Sequence, residues 1–269
     1  RVTAEQIAVL ESLGLLEGNS FDYPLYIGTA ITLALILASA YLYAYLFAKP
    51  MLSMGPSALV LLIAGVLTVL LCLLMGEYLN INAMPVALGA MLAVNLLGAR
   101  PAYVTNMALT LIITLLTAKG TGLVTSQTMS VLLTCSLGGL VAIWMMRKNT
   151  TRVMVVVSGL VVGTVNFGVL VCVRALTSSD MSGVWTDMAY AIGGAVVSAV
   201  LCVGLQPILE TAFNLVTPSK LIELSNPNQP LLRRLMIETP GTYHHSMVVA
   251  NLAEAAAEAV GANALLVRV

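Results

Sequence analysis

Ser57-Ala-Leu-Val-Leu-Leu-Ile-Ala-Gly-Val-Leu-Thr-Val-Leu-Leu-Cys-Leu-Leu-Met-Gly76 runs for twenty residues without a charged side chain, and Glu77 ends it. A helix of that length covers about 30 Å, the thickness of a bilayer's hydrocarbon core. This stretch therefore reads as a transmembrane helix. Working outward from it, similar apolar runs lie near 24–47, 81–99, 102–118, 123–146, 153–175 and 188–212. With 57–77 they make seven, which predicts an all-α, polytopic membrane helix bundle.

The whole composition agrees. Of 269 residues 59% are apolar and 9% charged, with a mean hydropathy of +0.97, against about 25% charged in a soluble domain. Lys and Arg balance Asp and Glu at twelve each, so no nucleic-acid partner is implied. The lipid bilayer is the first partner. The third and fourth runs are short and almost continuous through Gly98-Ala99-Arg100-Pro101. That makes a single re-entrant hairpin the alternative to two crossings there.

Basic residues in short loops stay on the cytoplasmic side. The first, third and fifth loops hold Lys49, Arg100, Arg147, Lys148 and Arg152, while the second, fourth and sixth hold Lys119 and Arg174. Five against two predicts a multi-pass protein with its N-terminus outside and its C-terminus in the cytosol. The acidic residues Glu77, Asp180 and Asp187 fall to the outer loops.

Polar residues within the runs are few: Asn95, Asn166, Arg174, Gln206 and Glu210. The asparagines read as bonds between helices, and Arg174 and Glu210 lie near enough to an interface to snorkel. Cys72, Cys135, Cys172 and Cys202 each sit in an apolar run with no spacing that suits zinc, so they read as packing residues. Gly159-Leu-Val-Val-Gly163 has the spacing that lets two membrane helices approach closely. The seventh run continues past Gln206-Pro207 toward Val216, which predicts a helix kinked at Pro207 that projects from the bilayer.

After Pro218 the sequence Ser219-Lys-Leu-Ile-Glu-Leu-Ser-Asn-Pro-Asn-Gln-Pro230 reads as a short helical turn and a loop. A second helix should run over 231–238 from Pro230, and Thr239-Pro240-Gly241 should break it. A third should run from about Thr242 to Val260, closed by Gly261. It carries the two histidines of the chain, His244 and His245. Neighbouring helical residues point about 100° apart, and periodicity puts His245 with Val248, Val249, Leu252 and Ala256 on an inward face, and His244 with Asn251 and Glu254 toward water. On those grounds His245 is either a packed core histidine or a metal ligand. One helix cannot supply the several ligands a metal needs.

Glu238-Thr-Pro-Gly-Thr-Tyr-His-His-Ser-Met-Val-Val-Ala-Asn-Leu-Ala-Glu254 resembles the opening of the HD phosphohydrolase domain in the bacterial seven-transmembrane HD receptors, a family that includes cyclic di-AMP phosphodiesterases. Asn228-Gln-Pro-Leu-Leu-Arg-Arg-Leu235 is similar to its linker, and Val2-Thr-Ala-Glu-Gln-Ile-Ala-Val-Leu-Glu-Ser-Leu-Gly14 to the end of its extracellular domain. The resemblance implies a remnant of an extracellular sensor at 1–22, seven transmembrane helices over 23–216, a cytosolic linker at 217–239 and a truncated HD domain at 240–269.

It further implies a two-metal centre of manganese or iron in the parent enzyme, with His245 as first ligand and His244 solvated or at the substrate rim. Cyclic di-AMP would be the parent's substrate, the bacterial cell membrane its location, and a homo-oligomer an open option. The His-Asp pair that names the family does not occur in this chain, so the chain by itself is expected to be inactive. A transporter or channel is the alternative, disfavoured by scarce intramembrane charge and by no visible repeat with broken helices. A retinal receptor is excluded, because the last run has no lysine for a Schiff base.

Overall fold

The computed structural model describes residues 23–47, 55–118, 125–147, 151–177, 183–215 and 217–269. Every regular element among them is helical. The expected sensor remnant at 1–22 lies outside the described residues, as do Lys49, Lys119, Lys148 and Asp180. The chain divides into two units, Arg1–Leu35 and Ile36–Val269.

Helix α1, Tyr23–Phe47, begins in the first unit and ends in the second. Its described side chains are mostly exposed apolar groups such as Ile31, Leu35 and Leu42, as befits a lipid-facing surface.

The second unit holds α2 (Gly55–Tyr78), α3 (Leu88–Leu97), α4 (Ala99–Thr117), α5 (Ser126–Met146), α6 (Arg152–Leu176) and α7 (Val184–Ala212), then α8 to α11. Five helices among the described residues are long and apolar enough to cross a membrane: Ser57–Tyr78, Ala99–Thr117, Ser126–Met146, Arg152–Leu176 and Val184–Ala212. Their exposed positions are Leu, Ile and Val, for example Leu62, Val66, Leu111 and Val200, while small and polar residues such as Ala64, Thr68, Ser158 and Ser198 are buried. That is the inverse of a water-soluble helix bundle, and it follows from a solvent as apolar as leucine, in which helices associate through close packing. Three of these buried hydroxyls are satisfied locally: Thr68 donates to the Ala64 carbonyl (2.7 Å), Ser158 to Val155 (2.7 Å) and Ser198 to Gly194 (2.9 Å).

The Gly159/Gly163 spacing does what it predicts. A Cβ on Gly159 would lie 2.6 Å from the Ala199 Cβ, and one on Gly163 3.0 Å from the Ile192 Cα. Glycine therefore lets α6 and α7 touch nearly backbone to backbone, where dispersion is strongest.

The third apolar run is not one continuous helix. It is a 3-10 turn, Ile81–Ala83, followed by a non-helical stretch through Met84 and then the ten-residue α3. Proline explains the break: Pro85 has no N–H to give to a helix, and it holds Met84 in an extended conformation (φ −58°, ψ 132°). All ten residues of α3 are buried.

Two contacts fix the course of this segment. Asn82 binds Asp187 at the start of α7, and Asn95 binds Gln206 near its end. Those α7 residues are nineteen positions apart, about 28 Å along a helix. Thirteen positions from Asn82 to Asn95 would reach only about 20 Å as a continuous helix, so the extended break lets the segment keep pace with α7. Gly194 sits against the freed Ala83 carbonyl, where a side chain would collide with it. Irregular backbone at such a depth is tolerated because protein covers it. Gly98, with φ +94° and ψ 179°, alone separates α3 from α4. Pro101 falls in the first turn of α4, where its missing N–H costs nothing.

Helix α7 passes through Pro207 but stops at Ala212, short of the expected 216. Asn214 takes the left-handed conformation (φ 49°), and the Leu215 N–H closes on the Glu210 carbonyl (3.0 Å). Such a turn ends a helix, and asparagine can replace glycine in it. Then come α8 (Pro218–Leu224), α9 (Pro230–Glu238), α10 (Pro240–Ala259) and α11 (Ala264–Arg268). Pro240 opens α10 instead of preceding it by two residues, since proline is well placed at a helix's first position.

Candidate functional site

His244 and His245 lie one turn into α10, and both are exposed. The face of α10 that packs carries Tyr243, Met247, Ala250, Ala253 and Ala257, of which Ala257 is fully buried. It meets α9 and α11, and Arg268 of α11 pairs with Glu254 at 2.6 Å. The face expected to point inward, with His245, Val248, Val249 and Leu252, is instead open. That expectation is corrected: two short helices cover only one side of α10, and they take the alanine-rich side.

Among the described residues no three His, Cys, Asp or Glu side chains come together as metal ligands. The donor set of a two-metal centre is thus not completed around His245 by these residues.

The buried polar chemistry lies instead along α7. Asp187, only 6% exposed, belongs to the first turn of α7 and not to a loop. Its two oxygens accept from Asn82 Nδ2 (2.9 Å) and Arg174 Nε (2.6 Å). Arg174 is therefore paired, beyond any snorkelling. The cluster ties the 3-10 turn, the end of α6 and the start of α7 together.

Nineteen positions further on, Asn95 Nδ2 donates to Gln206 Oε1 (3.1 Å) and approaches Cys202 Sγ (3.5 Å). Gln206 Nε2 donates to Glu210 Oε1 (2.8 Å), which also accepts from the Thr217 hydroxyl (2.8 Å). Asn95 thus bonds between helices as its sequence setting implied, and Glu210 has protein partners. The Oδ1 atoms of Asn95 and Asn166 are both buried without a hydrogen-bond partner, and that of Asn166 lies against Gly138 of α5. Asn106, which the sequence did not single out, donates to the Ser136 carbonyl (3.3 Å) beside Gly139. Asn82 and Asn106 carried one available signal, a polar residue inside an apolar run, and Thr217 one just beyond such a run. Cys72, Cys135 and Cys202 are buried and Cys172 is exposed, all as free thiols.

Residues 23–217, from the start of α1 to the start of α8, match the family described as "7TM receptor with intracellular HD hydrolase". The chain belongs to this family. It is 34% identical over 97% of its length to the cyclic-di-AMP phosphodiesterase PgpH of Bacillus subtilis, covering 37% of that protein. The PgpH of Listeria monocytogenes is 45% identical over 49% of this chain, or 19% of the relative. An uncharacterised Synechocystis protein, slr0104, is 49% identical over 30% of this chain. The chain thus spans little more than a third of the first of these relatives. No solved structure matches it.

Proposed function

We propose that this seven-transmembrane HD family member is the membrane module, cytosolic linker and first HD-domain helices of a bacterial cyclic di-AMP phosphodiesterase. The reading is carried by 34% identity across 97% of the chain to a protein named for that activity. In it, residues 1–22 end an extracellular sensor, 23–216 cross the membrane, 217–239 link, and 240–269 begin the hydrolase.

Seven crossings are supported by the third segment, which stays beside α7 from Asp187 to Gln206 and so matches a bilayer's thickness. The excess of Lys and Arg in alternate loops supports an orientation with the N-terminus outside and α8 to α11 in the cytosol. In the parent enzyme divalent metal ions would supply the Lewis acidity that activates a phosphodiester, with His245 among their ligands and His244 at the rim. No three metal-ligating side chains come together among the described residues, and in our reading this chain alone is inactive. Its work is to carry the position of one domain to the other.

Two experiments test this. The full-length protein in membranes should hydrolyse cyclic di-AMP, His245→Ala should abolish that, and His244→Ala should leave most of it. Absence of hydrolysis would remove the substrate reading, and equal loss in both variants the assignment of roles. Cysteines introduced at the exposed positions Leu79 and Leu176 should react with an impermeant maleimide on intact cells, and one at Ile222 should not. The reverse pattern would invert the orientation.

Transport is the second reading, because the broken third segment is a feature that transporters share. Against it, α3 is buried throughout and Gly194 packs against the break. Selective flux through liposomes holding residues 23–217 would favour transport.

A further inference from the structure

One continuous hydrogen-bonded series leads from the buried half-helix α3 out of the bundle. Asn95 Nδ2 donates to Gln206 Oε1 at 3.1 Å, and Gln206 Nε2 donates to Glu210 Oε1 at 2.8 Å. Thr217 donates its hydroxyl to the same oxygen at 2.8 Å. That hydroxyl accepts in turn from the Lys220 N–H at 3.2 Å, which caps α8. Asn95 is 2% exposed, Gln206 9% and Thr217 1%, so water competes little for the Asn95–Gln206 bond, while Glu210 itself is half-buried.

Three features make the series more than a set of local contacts. Glu210 Oε1 is the shared acceptor, receiving one donor from within α7 and one from the segment beyond its end. The Glu210 carbonyl also closes the Asn214 turn by accepting from Leu215, so both polar ends of this residue hold the exit of the chain. And Asn95 sits in a short helix with a proline break before it and Gly98 after it, which makes α3 a piece bounded by two joints. Gln206 is its link to α7 near the point where Pro207 removes a backbone donor.

We propose that Glu210 is a coupling residue through which the position of α3 sets the anchoring of α8, and with it the direction in which the chain leaves the bundle. A shift of α3 that withdraws Asn95 leaves the Gln206 amide to turn. Glu210 then loses a donor, and the hydroxyl that caps α8 loses a fixed acceptor. The signal is a change in hydrogen-bond partners, and it needs no large movement of α7. By reciprocity, whatever fixes α8 also steadies α3.

Amide hydrogen exchange on the 269-residue protein in phospholipid nanodiscs tests this without any assay of catalysis. The reading is the exchange of peptides covering 218–225. Glu210→Ala and Thr217→Val should each raise it about fivefold, the size expected for one hydrogen bond lost from a local opening. Glu210→Gln, which keeps an acceptor oxygen, should stay close to the wild type. Asn95→Leu decides the matter, because the hydrogen bonds of Asn95 go to Cys202 and Gln206 and not to Thr217 or α8, and it should raise exchange severalfold at 218–225. Gln206→Met serves the same purpose if Asn95→Leu does not fold. If exchange in whichever of the two folds equals that of the wild type while Glu210→Ala raises it, Glu210 only caps α8 locally and the coupling is refuted. Equal rises in Glu210→Gln and Glu210→Ala would also refute it.

Discussion

Asn82 gives its amide N–H to Asp187 across 2.9 Å, fastening the 3-10 turn at the head of the broken segment to the first turn of α7. Arg174 holds the other oxygen at 2.6 Å, so one carboxylate joins three elements. Asp187 is nearly buried while the Arg174 side chain is 28% exposed, so solvent takes part of the charge and the pair is weaker than a wholly buried one.

Asp187→Ala leaves Arg174 and Asn82 facing a hole, and should cost about 2 kcal/mol of stability. A double-mutant cycle with Arg174→Ala should return a coupling of about 1 kcal/mol. Thermal unfolding in detergent, followed by circular dichroism or a thiol-reactive dye, measures both. Strict additivity would mean that the ion pair contributes nothing.

Two glycines of α6 and α7, one at their contact and one facing open space, make opposite predictions. Gly159→Leu forces a side chain into Ala199 and should destabilise by at least about 2 kcal/mol. Gly193→Ala has no neighbour within 4 Å and should be neutral or slightly stabilising, because alanine has the better helix propensity. Melting temperatures of the two variants in one detergent decide it.

Much of this architecture was legible, because lipid imposes a single requirement, an uninterrupted apolar length, and five long helices meet it. The same criterion misread 81–99 as one helix. Apolarity passes straight over Met84-Pro85, whereas the backbone cannot, and only the distance to be covered beside α7 shows why an extended break suits that site. Paired polar residues were half legible. Asn95, Gln206 and Glu210 stand out as polar letters in apolar runs, yet Asp187 read as a loop residue since its partners, Asn82 and Arg174, are 105 and 13 positions away. The His245 face failed for another reason. Periodicity identifies an apolar stripe but not what covers it, and in this chain α9 and α11 cover the adjacent side.

That open stripe yields a prediction about domain completion. Val249 is 50% exposed and Leu252 67%, so Val249→Ser and Leu252→Ser should alter the stability of this chain by no more than about 0.5 kcal/mol. In a longer protein of the kind proposed, where a complete HD domain would pack on the stripe, each should cost about 2 kcal/mol. Chemical denaturation of both forms makes the comparison. Equal small effects in the two would mean that the stripe stays uncovered and that α10 does not enter a domain core in the way proposed.

Gly98 poses the sharpest test of backbone geometry, because space and conformation disagree there. Nothing lies within 4 Å of a Cβ built on it, so by packing alone Gly98→Ala should be harmless. Its φ of +94° with ψ of 179° falls in a region that only glycine occupies readily, and an alanine held there costs about 1–3 kcal/mol. The residue is also the whole connection between α3 and α4, so the strain cannot spread along a loop. The chain can relieve it only by unwinding the end of α3 or the start of α4. Gly98→Ala should therefore lower the melting temperature while Gly204→Ala, in open space within α7 at ordinary helical angles, should not. Equal melting temperatures for the two variants would show that the α3–α4 junction can be rebuilt without a left-handed residue.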